Sequence, residues 1–92
     1  MQRNGKLVKD KATEARIQSA VADVWTEIDR ARAKWPQWPD DIVHAAALVA
    51  EESGELTKAV NEYTYEGGTL DAIRTEAIHT AATAIRLLAN LR

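Results

Sequence analysis

The 92-residue sequence has no cysteine, only two prolines and no long apolar run. Without cysteine, neither a disulfide framework nor a zinc-thiolate site can form, and the simplest compartment for the chain is the reducing cytoplasm. No early apolar run resembles a signal peptide, and none reaches the roughly 18 residues that a membrane span requires. We therefore expect a soluble, cytoplasmic protein.

A strong excess of either charge is also missing. The formal net charge is -2 and the sequence pI is about 5.6. These values give no global electrostatic reason to bind nucleic acid or an anionic membrane surface, so we expect neither partner. An anionic substrate would need local positive charge.

The periodicity of apolar residues predicts a first helix over residues 12–35, where they recur at steps of three and four. Residues 1–11 are polar and are expected to form a flexible N-terminal arm. Two prolines within residues 35–41 end the first helix, because proline disfavours helix in the residue before it and cannot continue one itself. Most charges on the opposite face of this helix are expected to be solvated: Glu14, Arg16, Asp23, Glu27, Asp29, Arg30, Arg32 and Lys34.

Two further helices follow. The second is predicted over residues 40–62, and residues 63–69, which contain a glycine pair, are predicted to form a loop. The third is predicted to continue to Leu91, with Thr69 or Asp71 as its N-cap. Residues 12–92 should therefore form a single all-α domain, a helical bundle of three main helices.

The third helix is apolar almost all round, with Ile78 and Ile85 on a different side from Leu87, Leu88 and Leu91. A helix of this kind is buried on more than one side. Two helices of the same chain cover only part of it, so we expect homo-oligomerisation to complete the bundle.

Acidic residues interrupt the apolar face of the second helix. Glu52 falls in the middle of the apolar stripe, and Glu55 lies one helical step away at its edge. A second pair with the same spacing, Glu76 and His79, lies among small and apolar residues of the third helix. Buried carboxylates are costly unless a cation satisfies them, and two such pairs on inward faces can converge on one metal cluster. We therefore predict that these four residues form a divalent metal site.

Two tryptophans, Trp35 and Trp38, occupy the tight connection between the first two helices. They can either plug the end of the bundle or offer flat faces on which a nucleobase stacks. The sequence leaves both interpretations open. His44 is expected to be a partly exposed surface residue.

These motifs resemble those of the MazG-like, all-alpha nucleoside triphosphate pyrophosphatase superfamily. That family carries Glu-Glu-x-x-Glu on one helix and Glu-x-x-Asp on the next. Here Glu51-Glu52-Ser53-Gly54-Glu55 is followed by Glu76-Ala77-Ile78-His79, and the resemblance covers roughly residues 17–91. The phrase continuing through Leu56 and Lys58-Ala59 is typical of the family, as are the preceding Trp35-Pro36 and His44-Ala45. His79 departs from the pattern, because it stands where the family has Asp.

The resemblance implies a metal-dependent hydrolase of house-cleaning type that converts (deoxy)nucleoside triphosphates to monophosphate and pyrophosphate. Glu52, Glu55 and Glu76 would bind Mg²⁺, with His79 as fourth ligand; a neutral imidazole suits Mn²⁺ better than Mg²⁺. Glu51 would orient or deprotonate the attacking water, or it is simply a solvated acid. Relatives form dimers or tetramers, so a homodimer or homotetramer is expected. Candidates for substrate binding are the cations Lys58, Arg74 and Arg86 and the base-stacking residues Trp25, Trp35 and Trp38.

A different class of protein also fits the sequence. A helical nucleotide-binding, metal-binding or assembly module would keep the fold but turn over little. The replacement of Asp by His79 favours this alternative, in which His79 is a hydrogen-bonded core residue of a lost site. The three retained acids, Glu52, Glu55 and Glu76, favour the enzyme.

Overall fold

Three helices make up the secondary structure of residues 10–91, the part of the chain that this computed structural model describes. They are α1 (Lys11–Lys34), α2 (Ile42–Tyr65) and α3 (Leu70–Ala89). The all-α prediction is therefore confirmed for this range. Of the expected N-terminal arm, residues 1–9 lie outside the described residues, and Lys11 already belongs to α1.

Each helix is preceded by an N-cap residue whose side chain accepts a hydrogen bond from a backbone amide of the first turn. Asp10 caps α1, and the Thr69 hydroxyl caps α3 by accepting from the Ala72 amide at 3.1 Å, which selects Thr69 over Asp71. Asp41 caps α2 by accepting from the Val43 amide at 2.9 Å. The predicted start of α2 at residue 40 is therefore wrong by two residues, because Asp41 has an extended backbone and stands before the helix.

The predicted end of α2, at residue 62, is also wrong, by three residues. The helix continues through Tyr65, and only residues 66–69 connect it to α3. Gly67 adopts a φ of 76°, the left-handed conformation that commonly terminates helices, and the Gly68 amide donates to the Glu62 carbonyl at 2.9 Å. Such a short connection makes α2 and α3 a helical hairpin.

Replacing each of two glycines of this hairpin by alanine is expected to change the stability of the protein in opposite directions. A Cβ on Gly68 would lie 2.9 Å from backbone atoms of Glu62 and Tyr63, so Gly68→Ala should destabilise the protein by about 1 to 3 kcal/mol. A Cβ on Gly54 would meet no atom within 4 Å, so Gly54→Ala should add about 1 kcal/mol through helix propensity. Urea unfolding of both variants beside the wild type tests the pair. Equal midpoints for the two variants would contradict it.

α3 is the helix against which the other two pack. Both α1 and α2 contact α3, whereas no Cα atom of α1 comes within 8 Å of α2 among the described residues. The two outer helices therefore stand apart, and a cleft opens between them with α3 as its floor.

The single chain buries little large apolar surface. Among residues 10–91 the buried side chains are Ile28, Ala45, Ala59 and Ala82. The larger apolar side chains of α3 are half-buried, as Ile73, Ile78 and Leu87 are, or exposed, as Leu70, Ile85 and Leu88 are. The expected burial of α3 on several sides is thus not achieved within one chain.

None of the described helices combines the length and the apolar character needed to cross a lipid bilayer.

Candidate functional site

Three potential metal ligands meet where α2 faces α3. Glu52 comes from α2, and Glu76 and His79 lie on successive turns of α3; one ligand atom from each lies within 4.8 Å of the others. His79 Nδ1 is 3.4 Å from Glu76 Oε1 and 3.9 Å from Glu52 Oε2. All three side chains are half-buried, so each keeps some access to solvent. We call these residues the ligand cluster.

A carboxylate from α1 reaches the other side of the imidazole. Glu27 Oε2 lies 3.7 Å from His79 Nε2, and the Glu27 side chain is only 14% exposed. Arg30 holds this carboxylate with two donors, Nε at 2.8 Å and an Nη at 2.6 Å. Glu27 is therefore an exception to the expectation that most charges of this helix face are solvated, because the docking of α1 on α3 turns it toward His79.

The two acids on either side of His79 have opposite electrostatic environments. Burial raises the pKa of Glu52, and the neighbouring carboxylates of Glu76, Glu51 and Glu55 raise it further, while His79 opposes the change. Hydrogen bonds from Arg30 lower the pKa of Glu27, and His79 acts in the same direction. The charged form of Glu52 in the ligand cluster is thus disfavoured, whereas the charged form of Glu27 is stabilised by its pairing with Arg30.

Glu52 and His79 of the ligand cluster line the cleft between α1 and α2, a cavity of about 490 Å³. All three helices and the connection between α1 and α2 contribute to its walls. The lining residues are Glu27, Arg30, Ala31, Trp35, Gln37, Trp38, Pro39, His44, Leu48, Glu51, Glu52, His79, Ala82, Thr83 and Arg86. The volume lies within the range of small-molecule sites.

An aromatic and cationic wall lines the part of this cavity formed by the connection. Arg86 donates a hydrogen bond to the Trp35 carbonyl at 2.8 Å, and its guanidinium carbon lies 5.0 Å from the centre of the Trp38 ring. Lys34 Nζ lies 4.6 Å from the Trp35 ring centre. The Arg86 contacts pin the connection to α3, and both tryptophans lie on the cavity wall.

Several predicted site residues lie elsewhere. Glu55 and Lys58 are exposed, and Glu55 is not a member of the ligand cluster. Arg74 pairs with Asp71 at 2.6 Å and lines a separate groove between α1 and α3. Trp25 lines another groove together with Ile85. Glu51 is exposed but does line the cavity beside the ligand cluster.

Glu27 and Arg30 were not singled out by sequence reasoning. A weak signal was present: Glu27 directly precedes Ile28, the buried residue of α1, and therefore borders the apolar stripe. Arg30 follows three residues later, at the spacing that favours an ion pair on one helix. His44, expected to be a surface residue, is exposed and borders the same cavity.

The donor set of the ligand cluster fits a divalent cation. Ligands of one six-coordinate ion lie about 3 to 4 Å apart when the metal–ligand bonds are about 2.1 Å long. The three donor atoms, within 4.8 Å of one another, would need only small side-chain adjustments to reach that spacing. Two carboxylates with an imidazole suit first-row transition ions such as Mn²⁺ better than Mg²⁺.

Comparison of the chain with protein families, with curated proteins and with solved structures gives no match. Function therefore has to be inferred from the motifs and from the chemistry of the cleft.

Proposed function

We propose that this chain is a metal-dependent pyrophosphohydrolase that converts (deoxy)nucleoside triphosphates to nucleoside monophosphate and pyrophosphate. One observation carries the proposal: a single cavity has two members of the ligand cluster, Glu52 and His79, on its wall together with Trp35, Trp38 and Arg86. The third member, Glu76, lies beside them, with a ligand atom within 4.8 Å of theirs. A nucleotide has the same two parts, a polyphosphate that needs cations and a base that stacks on aromatic faces.

The charges of the cavity explain why a cation is required for this substrate. Glu51 and Glu52 line it, and Arg30 is already engaged with Glu27. Arg86 is then the principal lining cation left for phosphate, and it is itself tied to Trp35 and Trp38. A polyphosphate entering this acidic space would be repelled unless a divalent ion lay between it and the carboxylates.

Each lining group has a role that follows from its chemistry. Glu52, Glu76 and His79 would hold the ion, which when bound neutralises phosphate charge. Glu51, exposed on the cavity wall, would accept the proton of the water that attacks phosphorus. Arg86 would donate hydrogen bonds to phosphate oxygens, and Trp38 would offer its free face to the base.

A specific observation also favours the alternative, a binding module with little turnover. Glu55 is exposed and outside the ligand cluster, and His79 replaces the Asp of the family pattern, so two of the four acidic ligands of that pattern are lacking. Such a site would hold fewer ions than the motif resemblance implies. Binding of a nucleotide without hydrolysis would then be the whole activity.

We further propose that the working form is a homodimer or homotetramer. Ile17, Val21 and Trp25 are exposed at successive turns of α1, and Ile85 and Leu88 are exposed on α3. Leaving large aliphatic or aromatic side chains in water forfeits about 1.5 to 3 kcal/mol each. A second copy of the chain, covering the groove shared by Trp25 and Ile85, would recover part of this free energy.

A panel of nucleoside triphosphates, assayed for pyrophosphate release with Mg²⁺ and separately with Mn²⁺, tests the proposed activity. We expect release to require the metal and to be faster with Mn²⁺, because an imidazole is among the ligands. Chelator-treated protein is the control. Absence of release from every nucleotide with both metals, combined with measurable nucleotide binding, would select the binding module instead.

A further inference from the structure

We infer that Glu27 is a positioning residue that orients His79, so that imidazole Nδ1 is presented to the metal while Nε2–H points toward Glu27. This inference rests on the proposed metal site. It gives a residue of α1 a function at the metal site, whereas the two acidic motifs that predicted the site lie on α2 and α3.

The placement of the imidazole supports this role. Its two ring nitrogens face different carboxylates: Nδ1 faces Glu76 at 3.4 Å and Glu52 at 3.9 Å, and Nε2 faces Glu27 at 3.7 Å. Glu27 thus approaches the ring from the side opposite the ligand cluster. The 3.7 Å separation is longer than a hydrogen bond, and a small side-chain movement on metal binding would bring the carboxylate within reach of the ring N–H. A carboxylate that accepts this N–H fixes the tautomer of a metal-bound histidine and makes the other nitrogen a better donor.

Arg30 explains why Glu27 acts on the ring rather than joining the ligand cluster. It binds both carboxylate oxygens of Glu27, at 2.8 and 2.6 Å, and so fixes the orientation of that carboxylate. A carboxylate held in this way is a poor candidate for direct metal coordination, because both oxygens are already hydrogen-bonded. Oε2 nevertheless keeps a lone pair for the imidazole N–H.

The alternative is that Glu27 only forms a helix-stabilising ion pair with Arg30. Such pairs are normally exposed and contribute little. Glu27 differs from them because its side chain is 14% exposed and its Oε2 faces His79. Asp23, one turn earlier on the same helix, is exposed and offers a matched acid for comparison.

The test uses Zn²⁺, a diamagnetic ion that accepts histidine and carboxylate ligands. Calorimetric titration is performed on the wild type, Glu27→Ala and Asp23→Ala. We expect Glu27→Ala to weaken Zn²⁺ binding by about 10- to 100-fold, the usual cost of losing the partner of a ligating histidine. Asp23→Ala removes the same charge from the same helix, and its affinity should stay within about threefold of wild type.

Long-range ¹H–¹⁵N NMR of the Zn²⁺-loaded protein provides the readout that a merely structural role would not change. The chain has two histidines, and His44 serves as the internal reference. In the wild type we expect metal-bound Nδ1 and protonated Nε2 at His79. In Glu27→Ala the Nε2 proton should exchange faster with solvent, because its acceptor is gone.

Three results would overturn the inference: Zn²⁺ bound through Nε2 in the wild type, equal affinities for Glu27→Ala and Asp23→Ala, or an affinity loss in Glu27→Ala with an unchanged Nε2 proton. The last result would make Glu27 a ligand or a remote charge. Failure of the proposed function can be told apart from failure of this inference. If the protein binds Zn²⁺ as expected but releases no pyrophosphate, the proposed activity is wrong and the role of Glu27 stands. Absence of Zn²⁺ binding by the wild type would be a fourth result against the inference, whereas pyrophosphate release with Mn²⁺ by the same protein would keep the proposed function.

Discussion

Glu52→Gln is expected to reduce metal-dependent pyrophosphate release by about a hundredfold or more. Glutamine keeps the volume of the side chain but removes one of the two carboxylates of the ligand cluster. A bound ion supplies several kcal/mol of charge stabilisation, and each 1.36 kcal/mol lost is a factor of ten in rate. Glu62→Gln, the same change farther along α2, is the control and should keep wild-type activity. Wild-type turnover in Glu52→Gln would contradict the metal site.

The same variant should be more stable than the wild type at neutral pH. Because burial raises the pKa of Glu52 in the folded state, the folded protein binds the proton more tightly than the unfolded chain does. Wild-type stability therefore falls as pH rises from the ordinary pKa of a glutamate through the raised value. Glutamine does not titrate, so Glu52→Gln escapes this loss. Thermal unfolding should show a gain at pH 7 that disappears at acidic pH, where Glu52 is protonated in both states.

Ile85→Glu is expected to weaken self-association by a hundredfold or more. Ile85 is 44% exposed and lines a groove with Trp25, which is 59% exposed, so a second copy docking there would cover both. Two cations line this groove: Arg86 is engaged with the connection between α1 and α2, and Arg32 is exposed. A glutamate buried in the interface without pairing to either costs about 3 to 5 kcal/mol, equivalent to more than two decades in Kd. If the neighbouring copy shapes the cavity, activity at dilute protein should fall in parallel.

Light scattering and sedimentation at micromolar concentration measure this effect. Ile42→Glu is the matched control, since Ile42 is 60% exposed but lies on α2, away from the groove shared by Trp25 and Ile85. It should leave the association state unchanged. A wild-type mass equal to the 10.2 kDa of one chain would refute the oligomer.

The sequence was sufficient to predict the three helices, because apolar periodicity and breakers are local signals. Two prolines separate α1 from α2, and a glycine pair separates α2 from α3. The end of α2 was misjudged because helix propensity is weak over residues 63–65, yet the helix continues until Gly67 can adopt a positive φ. Residues 63–65 are exposed, so the position of the stop at Gly67, rather than burial, determines where the helix ends.

The composition of the ligand cluster was only partly predictable. The spacing of Glu52 and Glu55 puts them about 60° apart around the helix axis, so the width of the buried face decides whether both point inward. Within residues 10–91, α3 is the one helix on which α2 packs, and the buried face of α2 is narrow enough to include Glu52 and leave Glu55 exposed. The role of Glu27 depends on how α1 crosses α3, which no local pattern specifies.

The separation of α1 from α2 has a dynamic consequence. α1 is held through α3 and through a connection pinned by Arg86, so undocking of α1 requires less free energy than global unfolding. A ligand that touches Arg30 on one wall of the cleft and Glu52 on the other binds only the docked state. The binding free energy of such a ligand then adds to the free energy that favours docked α1 over undocked α1. Ligand binding therefore shifts the population toward the docked state. Amide hydrogen exchange along α1 should therefore be slower when a ligand occupies the cleft.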